Sequence, residues 1–188
     1  MKKFIRINTP LTDKVCDELN TGDMVLLSGE VYTGRDVAHR KLFEAILHGD
    51  RLPVNLEGET IFYAAPTPTR PDRLIGSVGP TTSLRMDKYS PKLMEMGLKG
   101  MIGKGKRSPE VMEAIKKFKA IYFGAIGGVA ALTSRYVKKA VVAAYDELGP
   151  EAMMRLEIVD LPLVVINDTK GRDLYDEAVK RHRIHFSE

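Results

Sequence analysis

The sequence predicts a single α/β domain with a mixed sheet. Short apolar runs typical of strands alternate along the chain with segments in which apolar residues recur at helical spacing. No internal repeat, low-complexity tract or flexible linker divides the chain, so we assign residues 1–188 to one domain. A chain of 188 residues can bury a core without disulfides or a structural metal. Mixed pairing is expected because long loops join some of the strands.

The first half of the chain is predicted to alternate short strands with two helices. Apolar and basic residues alternate over Phe4–Ile7, which is typical of a strand. Thr12 is expected to cap a helix over Asp13–Leu19. The apolar residues after Asp36 recur at helical spacing, so this aspartate is expected to cap a longer helix that Gly49 can end. Three further strands are predicted at Met24–Leu27, Thr60–Ala64 and Leu74–Val78.

The second half is predicted to contain three more helices and three more strands. Pro80 suits the first turn of a helix, since it has no N–H to leave unpaired, and this helix is expected to cover Pro80–Met96. Ser108, with glutamates shortly after it, is typical of a helix start, and its helix should run through Lys117. The strands are predicted at Ala120–Phe123, Ala140–Ala144 and Leu161–Ile166, with a short apolar segment at Met101–Ile102 and a final helix at Leu174–Arg181.

Composition excludes several classes of protein. Cys16 is the only cysteine, so no disulfide can form within the chain, and its cysteines alone cannot hold an iron–sulfur cluster or a zinc ion. A lone thiol also favours a reducing, cytoplasmic location. The start of the chain has no apolar core of signal-peptide length, and the longest uncharged run, Ala120–Ser134, is too short to cross a membrane.

The charge pattern favours a small anionic ligand over a nucleic acid. The net charge is +4, and basic residues alternate with acidic ones instead of forming blocks. Aromatic residues make up 7% of the chain, and no base-stacking motif is present. A mild positive balance suits a small anion. We therefore expect no nucleic-acid partner. From the short apolar runs and the lone cysteine described above, we expect no membrane partner and no metal ligands in this chain.

Hydroxyl residues and an arginine are concentrated in GPTTSLRMDKYSP, residues Gly79–Pro91. If a helix begins at Pro80, the next three amides are free and the helix dipole adds partial positive charge. Such a terminus binds phosphate or carboxylate. Thr81 and Arg85 would share one helical face, so a hydroxyl and a guanidinium could converge on one anion. The alternative is simple capping by a hydroxyl beside a solvated arginine.

A second candidate site lies in SGEVYTGRDVAH, residues Ser28–His39. Arg35 stands where a strand gives way to a helix, a position from which side chains point out of a sheet edge. His39 lies one turn into that helix. Arg35 is therefore either a ligand-binding cation or the partner of Asp36 or another carboxylate, and the local pattern favours neither.

The third candidate is a glycine–lysine loop, GMIGKGKRS at Gly100–Ser108. It has the glycine and lysine spacing of a nucleotide-binding loop, but Arg107 replaces the serine or threonine that would hold magnesium. Flanking glycines instead let the backbone approach a ligand closely, so we expect the loop to aim Lys104 at an anion. The alternative is a flexible loop with a solvated lysine.

Six motifs in a fixed order give the chain a family resemblance. They are SGEVYTGRDVAH, FYAAPTP, GPTTSLRMD, MIGKG, GAIGGVAAL and DLPLVVINDTKGRDLY. In this order they resemble the β subunit of the iron–sulfur hydro-lyases of the class I fumarase and tartrate dehydratase group. In other members that subunit is the C-terminal domain of a longer chain. The resemblance covers nearly the whole sequence and implies a swivelling β/β/α domain.

The resemblance also implies a partner and a cofactor. In this family the α subunit carries a four-iron four-sulfur (4Fe-4S) cluster on three cysteines, and the fourth iron is open to the hydroxyl and carboxylate of the substrate. The β chain holds no cluster itself and closes over it. The implied assembly is a hetero-oligomer, such as a dimer of αβ pairs, that acts on a small dicarboxylate.

The residues of the family site carry over onto the three candidate segments. Its substrate-binding positions are occupied here by Arg35, Thr81, Arg85 and Lys104, and Thr81 is expected to be catalytic, in proton transfer. His39 matches the histidine of the family motif, without an assigned role. The implied activity is fumarate hydratase, interconverting fumarate and (S)-malate. The alternatives are L(+)-tartrate dehydratase, which yields oxaloacetate, and a non-catalytic anion-binding module.

Overall fold

The computed structural model describes residues 3–69, 71, 73–125 and 130–182. Within them the strands are β1 (Ile5–Asn8), β2 (Met24–Thr33), β3 (Thr60–Phe62), β4 (Gly100–Gly103), β5 (Ile121–Gly124), β6 (Val137–Ala144) and β7 (Met153–Asn167). The α-helices are α1 (Asp13–Glu18), α2 (Asp36–His48), α3 (Ser90–Glu95), α4 (Pro109–Phe118), α5 (Ala130–Thr133) and α6 (Leu174–His182). Short 3₁₀ helices lie at Ser83–Met86, Ser134–Tyr136 and Asp146–Glu151. None of the helices in the described part of the chain is both long and apolar enough to cross a membrane.

The strands form one mixed sheet, which confirms the predicted α/β class. β1 to β5 lie side by side in chain order and run parallel. β7 pairs antiparallel with β5, β6 and β2. The pairing of β7 with β2 closes a ring of five strands, β2-β3-β4-β5-β7, and leaves β1 and β6 as the outer strands.

Successive residues of the parallel strands face two different cores, because side chains alternate across a strand. Phe62 and Ile102 pack with apolar side chains of β2 and β7 in one buried cluster. Their neighbours Ile61 and Met101 pack in a second cluster, with side chains of α2, α3 and α4. The closed ring of strands therefore forms two layers around the first cluster. The helices form a third layer, which covers the outer face of the parallel strands.

Most predicted helix boundaries are confirmed by their capping contacts. The Thr12 side chain accepts a hydrogen bond from the Val15 amide at 3.3 Å and caps α1. Ser108 caps α4 in the same way. Gly49 ends α2 with φ of 75°, in the left-handed region that glycine adopts readily.

Several strand predictions differ from the structure in kind or extent. Leu74–Val78 is not a strand: Leu74 is half exposed, and the Val78 amide donates to the Ala130 carbonyl instead of a neighbouring strand. Met101–Ile102, predicted only as an apolar segment, lies in β4. β7 begins at Met153, well before the predicted start, because its first half is a half-buried strand with charged residues on the solvent face.

The helix predicted over Pro80–Met96 is also wrong. The segment folds instead as the 3₁₀ helix Ser83–Met86 followed by α3. Pro91 lies in the first turn of α3, where its missing N–H costs nothing. In the interior of one long helix the same proline would remove a hydrogen bond and clash with the preceding turn. Pro91 was therefore the sequence signal for the break.

Candidate functional site

The predicted site residues meet at the carboxyl ends of three adjacent parallel strands. Arg35 follows the end of β2, and Lys104 comes directly after β4. Backbone hydrogen bonds continue beyond the strands, since the Gly34 amide donates to the Phe62 carbonyl at 3.0 Å. In α/β folds with parallel strands, whether open sheets or closed barrels, ligands bind at the carboxyl ends of the strands. The structure therefore brings Arg35 and Lys104 to one side of the molecule.

Backbone hydrogen bonds attach the segment that carries Thr81 and Arg85 to the same edge. The Thr81 amide donates to the Tyr63 carbonyl, just after β3, at 2.7 Å. The Ser83 amide donates to the Lys104 carbonyl at 2.9 Å, and Thr82 pairs with Lys104 in an isolated parallel bridge. The segment thus continues the sheet and places Thr81 beside the Lys104 loop.

The helix-terminus argument for anion binding is consequently wrong. Two of the three amides expected to be free, those of Thr81 and Ser83, are hydrogen-bonded to the backbone of other loops. No α-helix joins Thr81 to Arg85, so they do not share a helical face. An anion at this edge would have to be held by side chains, not by a helix dipole.

Asp36 links the two arginines of the site. The Nε of Arg85 donates to Asp36 Oδ1 at 2.8 Å. Arg35 lies 3.9 Å from Asp36 Oδ2 through Nε, and its Nη2 lies 3.4 Å from Glu151 Oε1. Of the two interpretations of Arg35, the structure therefore shows pairing with nearby carboxylates. The terminal Nη1 and Nη2 atoms of Arg85 form no hydrogen bond with the described residues, so they can donate to a ligand carboxylate.

Asp36 was predicted to cap α2, and this prediction is wrong. Arg35 occupies the N-cap position without a side-chain capping bond, and Asp36 is the first helical residue. The carboxylate that was expected to cap the helix is therefore turned towards the arginines. Its charge at the first turn is still favourable to the helix dipole.

Unsatisfied buried polar atoms are concentrated on this stretch. Among the described residues, five buried side-chain nitrogen or oxygen atoms have no hydrogen-bond partner, and three of them are Arg35 Nε, Asp36 Oδ2 and His39 Nε2. Leaving such a group unpaired costs about 1–3 kcal/mol. The fold tolerates three such atoms within residues 35–39, and buried groups left unpaired together are typical of a functional site.

His39 lies beneath Arg35 and is held neutral. The side chain is fully buried, and its Nδ1 lies 2.9 Å from the Arg35 carbonyl. A carbonyl only accepts, so Nδ1 carries the proton and Nε2 has the free lone pair. Burial lowers the pKa of His39 to about 4. His39 therefore supports the backbone of Arg35 and does not contribute positive charge at neutral pH.

The Lys104 loop is fixed in place, in contrast to the flexible-loop alternative. The Gly105 amide donates to the Tyr175 hydroxyl oxygen at 3.2 Å, and Lys106 pairs with Asp176 of α6. Gly105 has φ of 86°, a left-handed conformation that favours glycine. The Lys104 side chain itself is exposed and has no ion-pair partner among the described residues. A rigid loop with a free ammonium group suits the capture of an anion.

Replacing Gly103 by alanine should destabilise the protein by about 1–3 kcal/mol, the usual cost of overpacking. A Cβ at this position would lie 2.0 Å from Ser83 Oγ and 3.0 Å from the Tyr63 ring. Urea unfolding measures the change. Gly34→Ala is the matched control, since its Cβ would make only ordinary contacts at 3.5 Å or more. Equal stability of the two variants would contradict the close packing of Ser83 on Gly103.

A buried arginine beneath the loops was missed by the sequence analysis. The Arg107 side chain is 0% exposed, and its Nε donates to Asp87 Oδ1 at 2.8 Å. Its Nη2 donates to Ser90 Oγ at 2.9 Å, and its guanidinium carbon lies 5.3 and 4.8 Å from the ring centroids of Tyr63 and Tyr122. A buried charge is tolerated when it is paired and hydrogen-bonded in this way. The sequence marked Arg107 only as a departure from a nucleotide-binding loop.

Among the described side chains, none is grouped to bind a metal ion. In the described ranges, no group of three or more His, Cys, Asp or Glu side chains is arranged to hold a metal ion. Cys16 is buried, and burial raises the pKa of its thiol to about 12. A thiol in this state is not poised to act as a thiolate ligand.

The sequence of the chain is similar to proteins of one known family. Residues 1–178 match the family model described as the fumarase C-terminus. The chain is 40% identical over 157 residues to the anaerobic class I fumarate hydratase of Escherichia coli, covering 82% of this chain and 29% of that protein. It is 37% identical over 172 residues to fumarate hydratase 2 of Leishmania major, covering 89% of this chain and 30% of that protein. The chain thus spans less than a third of the fumarate hydratases named here.

One relative is matched along nearly its whole length. It is the Methanocaldococcus jannaschii protein named "Putative L(+)-tartrate dehydratase subunit beta". The two sequences are 35% identical over 177 residues, which are 91% of each chain. A protein of this size therefore exists in the family as a separate subunit by name, beside the longer single-chain relatives.

Proposed function

Because the chain belongs to the family of the fumarase C-terminus, we propose that it is the β subunit of a two-subunit iron–sulfur hydro-lyase. The proposed reaction is that of fumarate hydratase, the interconversion of fumarate and (S)-malate. One observation supports this most strongly: the carboxyl ends of β2, β3 and β4 collect Arg35, Thr81 and Lys104, and Asp36 links Arg85 to them. Three cations and a hydroxyl at one edge suit a small dicarboxylate.

The cations would hold both ends of the substrate. A dicarboxylate needs a positive group at each end if its reacting carbons are to stay in one geometry. Arg85 can bind one carboxylate in a bidentate manner through its two terminal nitrogens, because its Nε is already occupied by Asp36. Arg35 and Lys104 would supply positive charge for the other carboxylate.

Thr81 would take part in proton transfer at the carbon that gains or loses hydrogen. Its amide is fixed to the end of β3, which holds the residue in place, and its side chain is half buried. A threonine hydroxyl is intrinsically a poor base, so nearby cations or an acid from the partner would have to assist it. Fixing the hydroxyl in place is the contribution that this chain can make by itself.

The partner is proposed to be an α subunit that carries the 4Fe-4S cluster of the family. The side chains of this chain do not fit such a cluster, since Cys16 is the sole cysteine and is buried. The resulting assembly would be a hetero-oligomer, such as a dimer of αβ pairs. A cytoplasmic location agrees with the single unpaired thiol.

L(+)-tartrate dehydratase, yielding oxaloacetate, is the second candidate. The observation that favours it is the match to the Methanocaldococcus jannaschii protein along 91% of both chains. Tartrate and malate differ by one hydroxyl, and both would use the same carboxylate-binding cations. The choice between these substrates depends on groups around the reacting carbons.

The isolated chain is expected to show no hydro-lyase turnover and to bind no stoichiometric cluster. The experiment purifies it under argon, adds iron and sulfide, and assays fumarate, malate and tartrate. The same assays follow anaerobic co-expression with an α subunit of the family. Cluster formation with turnover by the isolated chain would contradict the two-subunit proposal. A complex that binds these acids without converting any would favour the anion-binding module.

A further inference from the structure

One buried hydroxyl joins the two loops of the proposed site. Tyr122 lies on β5, and its side chain is 0% exposed. Its hydroxyl lies 3.0 Å from the Gly105 carbonyl and 2.8 Å from Ser83 Oγ. Gly105 directly follows Lys104, and Ser83 lies between Thr81 and Arg85. A single atom therefore contacts both substrate-binding segments.

The direction of both hydrogen bonds follows from the chemistry of the groups. The Gly105 carbonyl can only accept, so the Tyr122 O–H donates to it. The Ser83 hydroxyl must then donate to the Tyr122 oxygen. Burial raises the pKa of the Tyr122 phenol, so the hydroxyl keeps its proton over the working pH range. The bridge is thus fully paired and does not titrate.

The surroundings of Tyr122 fix its ring. The Arg107 guanidinium carbon lies 4.8 Å from the ring centroid, and Arg107 is itself fixed by Asp87 and Ser90. Directly between the two loops, the backbone hydrogen bond from Ser83 to Lys104 adds one more link. Because Arg107 packs against the Tyr122 ring, the Tyr122 hydroxyl is held at a fixed position between the two loops.

We propose that Tyr122 is a positioning residue of the hydro-lyase site, whose hydroxyl sets the distance between Lys104 and the Thr81–Arg85 segment. The inference rests on the proposed function, since these are its substrate-binding residues. Tyr122 does not touch the substrate in this scheme. Its effect is geometric, and a displacement of about 1 Å in such a site can cost about a hundredfold in rate.

The test is Tyr122→Phe, with Thr60→Val as the matched control. The first variant removes the hydroxyl that contacts both loops. The second removes a buried hydroxyl of β3 that has no hydrogen-bond partner among the described residues and lies outside the Tyr122 network. In the αβ complex, Tyr122→Phe should lower kcat/KM by about ten- to a hundredfold. Thr60→Val should stay within about threefold of the parent.

Amide hydrogen exchange gives a readout that does not depend on turnover. In the full β chain, Tyr122→Phe should speed exchange of the Ser83 amide, which donates to the Lys104 carbonyl, while Thr60→Val leaves it unchanged. Unchanged Ser83 exchange in Tyr122→Phe would overturn the proposed link between the loops. Faster exchange with parental kcat/KM would overturn the positioning role.

A third outcome separates this inference from the proposed function. If the parent complex has no turnover on fumarate, malate or tartrate, the proposed function fails, and the positioning role in that reaction fails with it. The exchange experiment still decides whether the Tyr122 hydroxyl holds the two loops together. Ser83→Ala and Tyr122→Phe should then both speed exchange of the amide of residue 83, which donates to the Lys104 carbonyl. An effect of only one of the two variants would refute a shared bridge.

Discussion

Replacing Thr81 by valine in the assembled αβ complex is expected to lower kcat by about 10²- to 10⁴-fold, while KM changes little. Valine keeps the shape of threonine and removes its hydroxyl, the group proposed to move a proton. The backbone contact that fixes the residue, from the Thr81 amide to the Tyr63 carbonyl, remains in the variant. A loss confined to kcat would therefore report on chemistry and not on placement of the loop.

The structure removes the capping alternative for Thr81. The residue that precedes the 3₁₀ helix Ser83–Met86 is Thr82, which itself makes no side-chain capping bond. Thr81→Val should therefore leave the free energy of unfolding nearly unchanged, without the loss of about 1 kcal/mol that a missing cap causes. Thr81→Ser, which keeps the hydroxyl, should retain much of the rate.

Exchange of the malate C3 proton with deuterated solvent measures the proposed step without net turnover. The Thr81→Val variant should exchange this proton more slowly than the parent by the factor seen in kcat. Thr82→Val is the matched control, since Thr82 is an exposed neighbour with the same side chain. If Thr81→Val exchanged the proton at the parental rate, Thr81 would lose its catalytic role, and the proton would have to come from the α chain.

The sequence predicted the position of Arg35 in the fold for a physical reason that the structure confirms. A strand pattern that changes to helical spacing at Gly34–Arg35 marks the carboxyl end of a strand, and local periodicity detects that change. The structure places Arg35 directly after β2, as this pattern implies. Lys104 was located by a different signal, the flanking glycines, which permit a close approach of the backbone. In the structure, Gly103 packs closely against Ser83.

The segment from Thr81 to Arg85 was placed in the site by an argument that the structure contradicts. A helix from Pro80 would explain the proximity of Thr81 and Arg85 from spacing alone. The Thr81 amide instead pairs with the Tyr63 carbonyl, and Pro91 lies in the first turn of a separate helix, α3. Arg85 reaches the site through Asp36, a residue 49 positions earlier in the chain. Such a contact depends on the arrangement of whole elements, which local spacing does not encode.

The network of Arg107, Asp87 and Tyr122 was not predictable from sequence patterns. Periodicity indicates that a position is buried, but charged residues are almost never fully buried unless paired, and no local pattern around Arg107 indicates a buried partner. Its partners come from loops and strands that are distant in the chain. The need for rigid support under two binding loops appears only once the loops are seen side by side.

Replacing Arg35, Arg85 or Lys104 by alanine in the complex is expected to lower kcat/KM by about 30-fold to several thousandfold. Removing a charged contact to a substrate carboxylate costs roughly 2–5 kcal/mol of transition-state stabilisation, and each 1.36 kcal/mol is about tenfold in rate. Arg40→Ala is the matched control, because Arg40 is an exposed arginine of α2 whose ion-pair partner among the described residues is Glu44, one turn away. It should change kcat/KM by less than about threefold. Near-parental values for all three site variants would refute the assignment.

Arg85→Lys separates the charge of the side chain from its geometry. In the structure, Nε of Arg85 is occupied by Asp36, so that Nη1 and Nη2 remain for the substrate. A lysine has one nitrogen, which can pair with Asp36 or with the substrate but cannot form the bidentate contact. Arg85→Lys should therefore lose roughly tenfold or more in kcat/KM, although the net charge is unchanged. Parental activity of Arg85→Lys beside a deficient Arg85→Ala would show that Arg85 acts as a point charge, and the anchoring of Nε by Asp36 would then have no role in binding the substrate.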